Sequence, residues 1–384
     1  MINPLVLSLN KSATLKITAL TKKLIKEGRD VVNLAAGEPD FDTPEFIKQA
    51  AIEAIRNGFT KYTPSAGTLE LREAIARKCR QDCAFSANTE NVIVTSGAKY
   101  AIFAAITALA GQDSEVIVPS PYWVSYPEMI KLSGSNMVAL SCSEDEGFKI
   151  NPQTLEKAIT AKTKLLILNY PANPTGITYS RQELQDIYEV VKKRKIFVVS
   201  DEIYEALVYD GREHISFASF PGADEFTVTV GGFSKTFSMT GWRMGYLVAP
   251  AGIALEISKI IDHTTSCASS ISQKGALAVF SNKDWPIYIK DEFQKRRDLL
   301  WDGLAGIKGL KPIKTQGTFY MFCGVRDTGL SSFDFAKRLL DEQMVSCIPA
   351  DSFNQPGYVR FSFATSLEQI SKGIDRIKAF LKGI

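Results

Sequence analysis

Apolar, β-branched runs alternate with helical patterns through the middle of the chain. The runs lie at residues 92–95, 115–119, 137–140, 164–169, 196–200, 227–231 and 245–249. Helical patterns follow four of them, at residues 98–110, 122–133, 152–160 and 180–194. Continuous apolar runs joined by helices are typical of strands buried on both faces of a parallel sheet. The pattern therefore predicts an α/β unit that binds its ligands at the carboxyl ends of its strands.

The two ends of the chain follow other patterns. A long helical pattern at 284–306 precedes a mixture of elements, with strands near 318–323, 345–348 and 358–362 and helices at 332–342 and 366–382. This order predicts an α+β domain. The first forty residues contain one helix, at about 13–27, and an irregular apolar segment. We therefore predict a segment at 1–41 that packs with the small domain, a large domain at 42–283 and a small domain at 284–384.

Composition narrows the classes of function. The chain has 384 residues, which is long enough for two or three domains, and its net charge is only +3. Such a charge gives no strong field for nucleic acid or an anionic membrane surface. No run of about 20 apolar residues is present to span a bilayer. The amino terminus lacks the basic, apolar and small-residue order of a secretion signal. We expect a cytoplasmic protein without nucleic-acid or membrane partners.

Metal and disulfide chemistry have little support in the sequence. The six cysteines lie in apolar segments without a Cys-x-x-Cys spacing, which suits buried thiols in a reducing compartment. His214 and His263 are the two histidines of the chain, too few for a typical zinc site. We expect both to be surface or packing residues, and we expect no metal centre.

Two segments after predicted strands have unusual composition. Residues 95–99 (TSGAK) open a helix with small side chains, so backbone N–H groups could bind an anion there. Small residues at such a turn also serve packing, and packing is the commoner explanation. Residues 169–176 (NYPANPTG) form a rigid loop in which Asn173, before Pro174, is extended and can direct its amide into a cleft. A plain turn explains this loop equally well.

Two further segments carry ionisable groups at strand ends. Residues 200–204 (SDEIY) place Asp201 at the end of an apolar strand, where it needs donors or a cation, or else caps a helix. Lys235 follows the next strand in a glycine-rich setting, and Arg243 follows closely. A lone lysine after a strand is usually a solvated residue. Because these groups share one edge of one sheet, we infer instead a desolvated, nucleophilic amine beside an anion site.

The same segments resemble those of fold-type-I pyridoxal phosphate (PLP) enzymes, and specifically class-I aminotransferases of the bacterial aspartate aminotransferase subgroup. The resemblance runs nearly end to end and rests on residues 11–14, 36–44, 61–62, 121–127, 173–176, 200–204, 235–243 and 359–362. It implies a mostly parallel seven-stranded sheet between helices, a smaller α+β domain, and a homodimer with shared active sites.

The resemblance also implies roles around the cofactor. Lys235 would form the Schiff base with the cofactor and move a proton to and from the substrate Cα. Asp201 would pair with the pyridinium nitrogen, which keeps the ring an electron sink. Tyr204 and Asn173 would bond the phenolic oxygen. Trp123 would stack on the cofactor ring. The residues implied to contact the phosphate are Gly97, Ala98, Lys99, Ser234, Arg243 and, from the neighbouring subunit, Tyr62.

For the substrate, the resemblance implies that Arg360 clamps the α-carboxylate with a bidentate fork and that Gly37 closes over it. Trp123 and Asn173 would also contact the substrate. Lys99, Lys11 and Thr14 would recognise the distal carboxylate, and the less favoured alternative for Lys11 is a solvated charge beside a helix start. One departure concerns Gly232, where many relatives have a hydroxyl residue that touches the phosphate. Ser234 is the candidate to replace it.

Aspartate:2-oxoglutarate transamination by a ping-pong route is the leading hypothesis, with possible use of prephenate. A broad aromatic or neutral aminotransferase, or a β-lyase of cysteine conjugates, would share the same early chemistry. A regulatory protein that has kept the fold is a third hypothesis. It is disfavoured because residues 1–36 are too few for an added DNA-binding module.

Overall fold

The computed structural model describes residues 2–10 and 13–384. Lys11 therefore lies outside the described residues. Within them the chain forms thirteen strands: β1 (Val32–Asn33), β2 (Val92–Thr95), β3 (Glu115–Ser120), β4 (Asn136–Ser141), β5 (Thr163–Asn169), β6 (Phe197–Asp201), β7 (Thr227–Gly232), β8 (Gly245–Val248), β9 (Lys311–Pro312), β10 (Tyr320–Gly324), β11 (Val345–Ser346), β12 (Ile348–Pro349) and β13 (Tyr358–Ser362).

Thirteen α-helices lie among the same described residues. They are α1 (Pro4–Leu7), α2 (Ala13–Lys26), α3 (Glu45–Arg56), α4 (Leu69–Asp82), α5 (Ala98–Leu109), α6 (Tyr126–Leu132), α7 (Pro152–Ala158), α8 (Arg181–Arg194), α9 (Ala251–Asp262), α10 (Ser270–Ala278), α11 (Asp284–Leu304), α12 (Ser332–Gln343) and α13 (Leu367–Leu381). In the part of the chain described, no helix is long and apolar enough to cross a membrane.

The central sheet has seven strands in the order β2-β8-β7-β6-β5-β3-β4. The pairs among β4, β3, β5, β6 and β7 are parallel, whereas β8 runs antiparallel to both β7 and β2. Alternate residues of β5 enter different cores, with Leu165 and Ile167 on one face and Leu166 and Leu168 on the other. The predicted α/β fold with a mostly parallel seven-stranded sheet is confirmed.

A second core lies in the carboxyl-terminal part of the chain. The antiparallel sheet β12-β13-β10-β9 packs with α11, α12 and α13. The strand expected near 345–348 is two short strands, because β11 pairs with β1 while β12 pairs with β13. The segment before residue 41, expected to hold one helix and an irregular stretch, contains also α1 and β1.

The amino-terminal segment contacts the carboxyl-terminal elements. Val32 pairs with Val345 in a parallel bridge, and Val32 and Leu34 belong to the same hydrophobic core as β10 and β13. The Arg296 guanidinium of α11 forms an ion pair with Asp40 at 2.6 Å. These contacts agree with packing of this segment on the small unit, while the boundaries after residues 41 and 283 stay a prediction.

Candidate active site

A cleft of 560 Å³ opens at the carboxyl ends of β5, β6 and β7. Residues of α2, β10 and β13 line its other sides. Every sheet strand that runs parallel delivers its following loop to this edge, and the antiparallel β8 begins there. Twelve residues predicted for the site line the cleft: Thr14, Gly37, Ala98, Lys99, Trp123, Asn173, Asp201, Tyr204, Ser234, Lys235, Arg243 and Arg360.

Lys235 lies three residues after β7, at the base of the cleft. Its Nζ donates to the Gly37 carbonyl at 2.7 Å and lies 5.9 Å from the centre of the Tyr204 ring. Burial lowers the pKa of the Lys235 amine, and the positive charges of Arg360 and Arg243 lower it further. A lysine with a depressed pKa has a larger neutral fraction, so Lys235 can act as an amine nucleophile.

Asp201 ends β6 and is 3% exposed. Its carboxylate accepts from the Tyr126 hydroxyl at 2.6 Å and from the Ile203 amide at 3.3 Å. Burial raises its pKa to about 6, and these hydrogen bonds offset only part of that effect. A carboxylate held in this way is suited to a protonated nitrogen of a bound ligand.

The anion side of the cleft is built from a helix start and an arginine. Gly97 precedes α5 with φ +88°, and a Cβ there would collide with the Arg243 guanidinium. Arg243 itself has a positive φ of 54°, and its Nη1 donates to the Thr240 carbonyl at 2.9 Å. Burial and the charges of Arg243 and Lys235 lower the pKa of Lys99. Arg243 and Lys99 at the amino terminus of α5 are suited to bind an anion.

Gly232, the position that departs from the family pattern, has little space around it. A Cβ at this position would approach the Ile203 Cδ1 to 2.9 Å. Ser234, in contrast, is buried and lines the cleft. A side chain at 232 would thus require the tip of Ile203 to move. That Ser234 supplies the missing hydroxyl contact stays a prediction.

Arg360 comes from β13 and is 3% exposed. Its Nη1 donates to the Asn173 side-chain oxygen at 2.7 Å, which fixes the loop after β5 against the small unit. Its guanidinium lies over the Tyr320 ring, 4.0 Å from the ring centre. The buried Nε has no hydrogen-bond partner among the described residues. A buried arginine with a free donor edge in a cleft fits a carboxylate of a ligand.

The sequence did not single out several residues of this cleft. Tyr126, which holds Asp201, and Tyr320, which lies beneath Arg360, both line it. Thr18 and Lys22 follow Thr14 at helical spacing along α2 and line it too. The i, i+4, i+8 spacing of Thr14, Thr18 and Lys22 could have indicated one common face. The two tyrosines have no comparable local signal.

Tyr62, like Gly97, is not among the residues that line the cleft. It lies on the loop between α3 and α4 and is 89% exposed. The position is compatible with a contact to another subunit, which the single chain does not test.

His214, one of the two histidines expected to be surface or packing residues, lies in the segment between β6 and β7. His214 Nε2 lies 2.9 Å from Glu202 Oε2, and the imidazole stacks on the Tyr170 ring. Glu202, His214 and Glu205 are close enough together to bind a metal ion. However, the Glu205 carboxylate already pairs with Lys78 at 2.7 Å, and Glu202 accepts from Ser200 at 2.7 Å. Lys78 thus pairs with the Glu205 charge, and Glu202 accepts a hydrogen bond from a neutral hydroxyl.

The cleft fits pyridoxal phosphate. Because Gly97 has no Cβ, the Arg243 guanidinium packs against the start of α5, and a cation and helix amides together are what a phosphate requires. Asp201 offers a buried carboxylate to a ring nitrogen, and Lys235 offers an amine of lowered pKa to an aldehyde. Arg360 leaves a donor edge for a second carboxylate-bearing molecule.

Comparisons with known proteins agree with this chemistry. The family model described as aminotransferase class I and II matches residues 29–377. The chain is 40% identical over 386 residues to the aspartate aminotransferase of Bacillus subtilis (strain 168), covering 98% of this chain and 97% of that protein. It is 41% identical to the bifunctional aspartate aminotransferase and glutamate/aspartate-prephenate aminotransferase of Petunia hybrida, covering 99% of this chain and 82% of that protein.

Among solved structures, the aspartate aminotransferase from Thermus thermophilus with maleate superposes on the chain with a TM-score of 0.95. That match has 38% sequence identity and covers 99% of both chains. The chain therefore belongs to the class I and II aminotransferases and is a transaminase that uses pyridoxal phosphate.

Proposed function

We propose that the enzyme transfers the amino group of L-aspartate to 2-oxoglutarate, giving oxaloacetate and L-glutamate by a ping-pong route. One observation carries the choice of dicarboxylates. The cleft is lined by the buried Arg360, whose guanidinium suits one carboxylate. It is also lined by Lys99, Thr14 and Lys22, whose polar and cationic groups suit a second carboxylate. The names of the relatives, which include several aspartate aminotransferases, support the same substrate class.

When bound, pyridoxal phosphate supplies an electron sink and carries the amino group between the two half-reactions. The chain would hold the cofactor by its ring and by its phosphate. Asp201, fixed by Tyr126, would pair with the ring nitrogen. The Gly97, Ala98 and Lys99 amides would bind the phosphate together with Ser234 and Arg243. Trp123 would cover one face of the ring.

Tyr204 and Asn173 would donate to the phenolic oxygen of the cofactor. Asn173 has its side-chain oxygen occupied by Arg360, so its amide nitrogen is the group left to donate. Lys235 would anchor the cofactor and, once released by substrate, move a proton to and from the substrate Cα. Its lowered pKa keeps part of the amine neutral for that step.

Arg360 would bind the α-carboxylate that all amino acid substrates share, and Gly37 would close over it. Lys99 and Thr14 would recognise the distal carboxylate of aspartate and 2-oxoglutarate, together with Lys11, which lies outside the described residues. Prephenate is a second acceptor that we propose, because a relative at 41% identity is named for it. The comparisons do not favour the aromatic, neutral or β-lyase alternative.

We further propose a homodimer in which Tyr62 of each chain reaches the phosphate site of the other. The exposed Tyr62 ring and the exposed Leu5, Val6 and Leu7 of α1 are apolar surface that a second copy could cover. A cytoplasmic location stays a prediction, which cell fractionation would test.

Steady-state kinetics with defined donors test the substrate proposal. With 2-oxoglutarate as the acceptor, kcat/KM for aspartate should exceed those for phenylalanine and alanine at least tenfold, because these two lack a distal carboxylate. Prephenate should replace 2-oxoglutarate as the acceptor. A phenylalanine value equal to or above that of aspartate would overturn the dicarboxylate assignment and leave the transaminase class intact.

A further inference from the structure

Tyr320 lies at the junction of three groups of the cleft. It begins β10, is 1% exposed and lines the cleft. Its hydroxyl lies 3.1 Å from the Tyr204 hydroxyl, and its ring lies beneath the Arg360 guanidinium. A Cβ at Gly37 would lie 3.8 Å from the same hydroxyl. One side chain thus contacts Tyr204 and Arg360 and lies beside the segment that contains Gly37.

The contact with Tyr204 has a chemical consequence. In this structure the Tyr204 hydroxyl donates to Tyr320. A tyrosine hydroxyl has one proton but can also accept, and the proton rotates to suit its partner. When Tyr204 turns its proton to an anionic oxygen of a ligand, its own oxygen becomes an acceptor for the Tyr320 proton. Tyr320 is placed to stabilise the donating form of Tyr204.

The contact with Arg360 uses the ring and does not depend on the hydroxyl. The guanidinium lies 4.0 Å from the Tyr320 ring centre and 5.1 Å from that of Phe353, so two aromatic rings fix its plane. Such stacking favours the cation and restricts its orientation. The two functions of Tyr320 are therefore separable, because phenylalanine keeps the ring and removes the hydroxyl.

We propose that Tyr320 is a positioning residue of this transaminase, whose hydroxyl supports Tyr204 as a hydrogen-bond donor to the cofactor and whose ring orients Arg360 for the substrate carboxylate. The proposal rests on the roles of Tyr204 and Arg360 given under the proposed function. The charged and titratable groups that face Tyr204 are Tyr320 from β10, Arg360 from β13, Asp201 from β6 and Lys235 from the loop after β7.

The pH titration of the visible absorbance of the bound cofactor tests the hydroxyl. A hydrogen-bond donor to the phenolic oxygen stabilises the anionic form of that oxygen. It thereby keeps low the pKa at which the visible absorbance changes, here called the absorbance pKa. Tyr320→Phe should raise that pKa by about 0.3–1 pH unit, the value of one neutral hydrogen bond. In a Tyr204→Phe background the same change should add less than about 0.2 unit, since the route through Tyr204 is gone. Tyr188→Phe is the matched control, because that buried hydroxyl donates to the Pro221 carbonyl at 2.7 Å, outside the cleft.

Affinity for maleate, an unreactive dicarboxylate, tests the ring. Tyr320→Phe should change the maleate Kd less than about threefold, whereas Tyr320→Leu, which lacks the ring, should weaken it about fivefold or more. An unchanged absorbance pKa in Tyr320→Phe, alongside a raised one in Tyr204→Phe, would overturn this inference alone. An unchanged pKa in Tyr204→Phe would overturn the proposed role of Tyr204 and this inference with it. Equal shifts in Tyr320→Phe and Tyr188→Phe would indicate a general structural effect and also overturn it.

Discussion

The Asp201 carboxyl group shows how burial changes the pKa of one residue. Its pKa in the folded chain is about 6, against 3.8 for an ordinary aspartate. Between these values the unfolded chain has lost its proton while the folded chain retains it. The free energy of unfolding therefore falls as the pH rises through this window. Since one unit of pKa corresponds to about 1.4 kcal/mol, the loss is on the order of 3 kcal/mol.

The first prediction concerns the cofactor-free protein. Asp201→Asn carries no charge to bury, so its stability relative to wild type should increase between pH 4.5 and pH 7. Urea unfolding at the two pH values measures the change. Asp302→Asn, at an exposed position of α11, should show no such trend. A pH-independent difference for Asp201→Asn would mean that Asp201 is ionised throughout.

The second prediction separates the two ends of the substrate. Lys99→Ala should lower kcat/KM for aspartate about ten- to a hundredfold, the value of a charge-assisted contact of about 1.5–3 kcal/mol, and should spare phenylalanine. Arg360→Ala should impair both substrates, since both have an α-carboxylate. Lys193→Ala, on the exposed side of α8, is the control. Equal losses of aspartate and phenylalanine activity in Lys99→Ala would show that Lys99 does not read the distal carboxylate and serves the phosphate or packing instead.

The sequence identifies a site residue when its chemistry conflicts with its local setting. Lys235 and Asp201 are ionisable groups directly after apolar strands, and both line the cleft. Tyr126 and Tyr320 gave no such signal, because tyrosine is ordinary in a helix or a strand. Their contacts join residues 75 and 116 positions apart, and only the folded chain brings those together.

The elements differ in how far their sequence determines them. The runs of β3, β5, β6 and β7 were predicted as strands because both of their faces are buried. The direction of β8 does not follow from its composition, which is as apolar as that of its neighbours. Direction depends on the connection. Residues 233–244 join β7 to β8 without a crossover helix, so the two strands are antiparallel.

A buried cation joins helix α11 to the segment between β6 and β7 and to the loop before β10. Arg297 is fully buried, and its guanidinium pairs with Asp210 at 2.7 Å and with Asp298 at 2.6 Å. Its Nη1 also donates to the Thr315 carbonyl at 3.0 Å. A planar guanidinium can bond several acceptors at once, which a lysine ammonium cannot do in the same geometry.

The third prediction follows from that geometry. Arg297→Lys should lower the free energy of unfolding by about 1.5–3 kcal/mol, through loss of charge-assisted hydrogen bonds. Arg338→Lys on α12, where an exposed arginine pairs with Glu342 four residues on, should cost about 0–0.5 kcal/mol. Midpoints of urea unfolding compare the two variants. Equal midpoints would show that Arg297 serves packing alone.

The whole molecule joins its two ends around the cleft. The segment before residue 41 pairs β1 with β11 and contributes Gly37 and α2 to the cleft. The sequence predicted this packing because the segment is too short to bury its own apolar residues. It could not predict which strand the segment joins, since a two-residue pairing has no recognisable pattern.

The fourth prediction concerns the assembly. The chain should sediment as a dimer at micromolar concentration, with Tyr62 completing the phosphate site of the other subunit. Tyr62→Phe should then weaken cofactor binding about tenfold or more, by loss of a hydrogen bond to a charged group, without changing the sedimentation. A fully active monomer would contradict the shared site.

A transaminase passes the substrate amino group to an acceptor and does not release it as ammonia, and here Lys235 would move the proton that this transfer requires. The most direct measurement mixes the cofactor-loaded enzyme with excess aspartate, without an acceptor, and counts oxaloacetate per site. We expect one oxaloacetate per site and then no more, until 2-oxoglutarate restores the original absorbance. Lys235→Ala should form none on the same timescale, although it still binds cofactor, because the proton carrier is gone. Continuous release of 2-oxo acid without an acceptor would rule out amino-group transfer, and turnover by Lys235→Ala within tenfold of wild type would rule out Lys235 as the proton carrier.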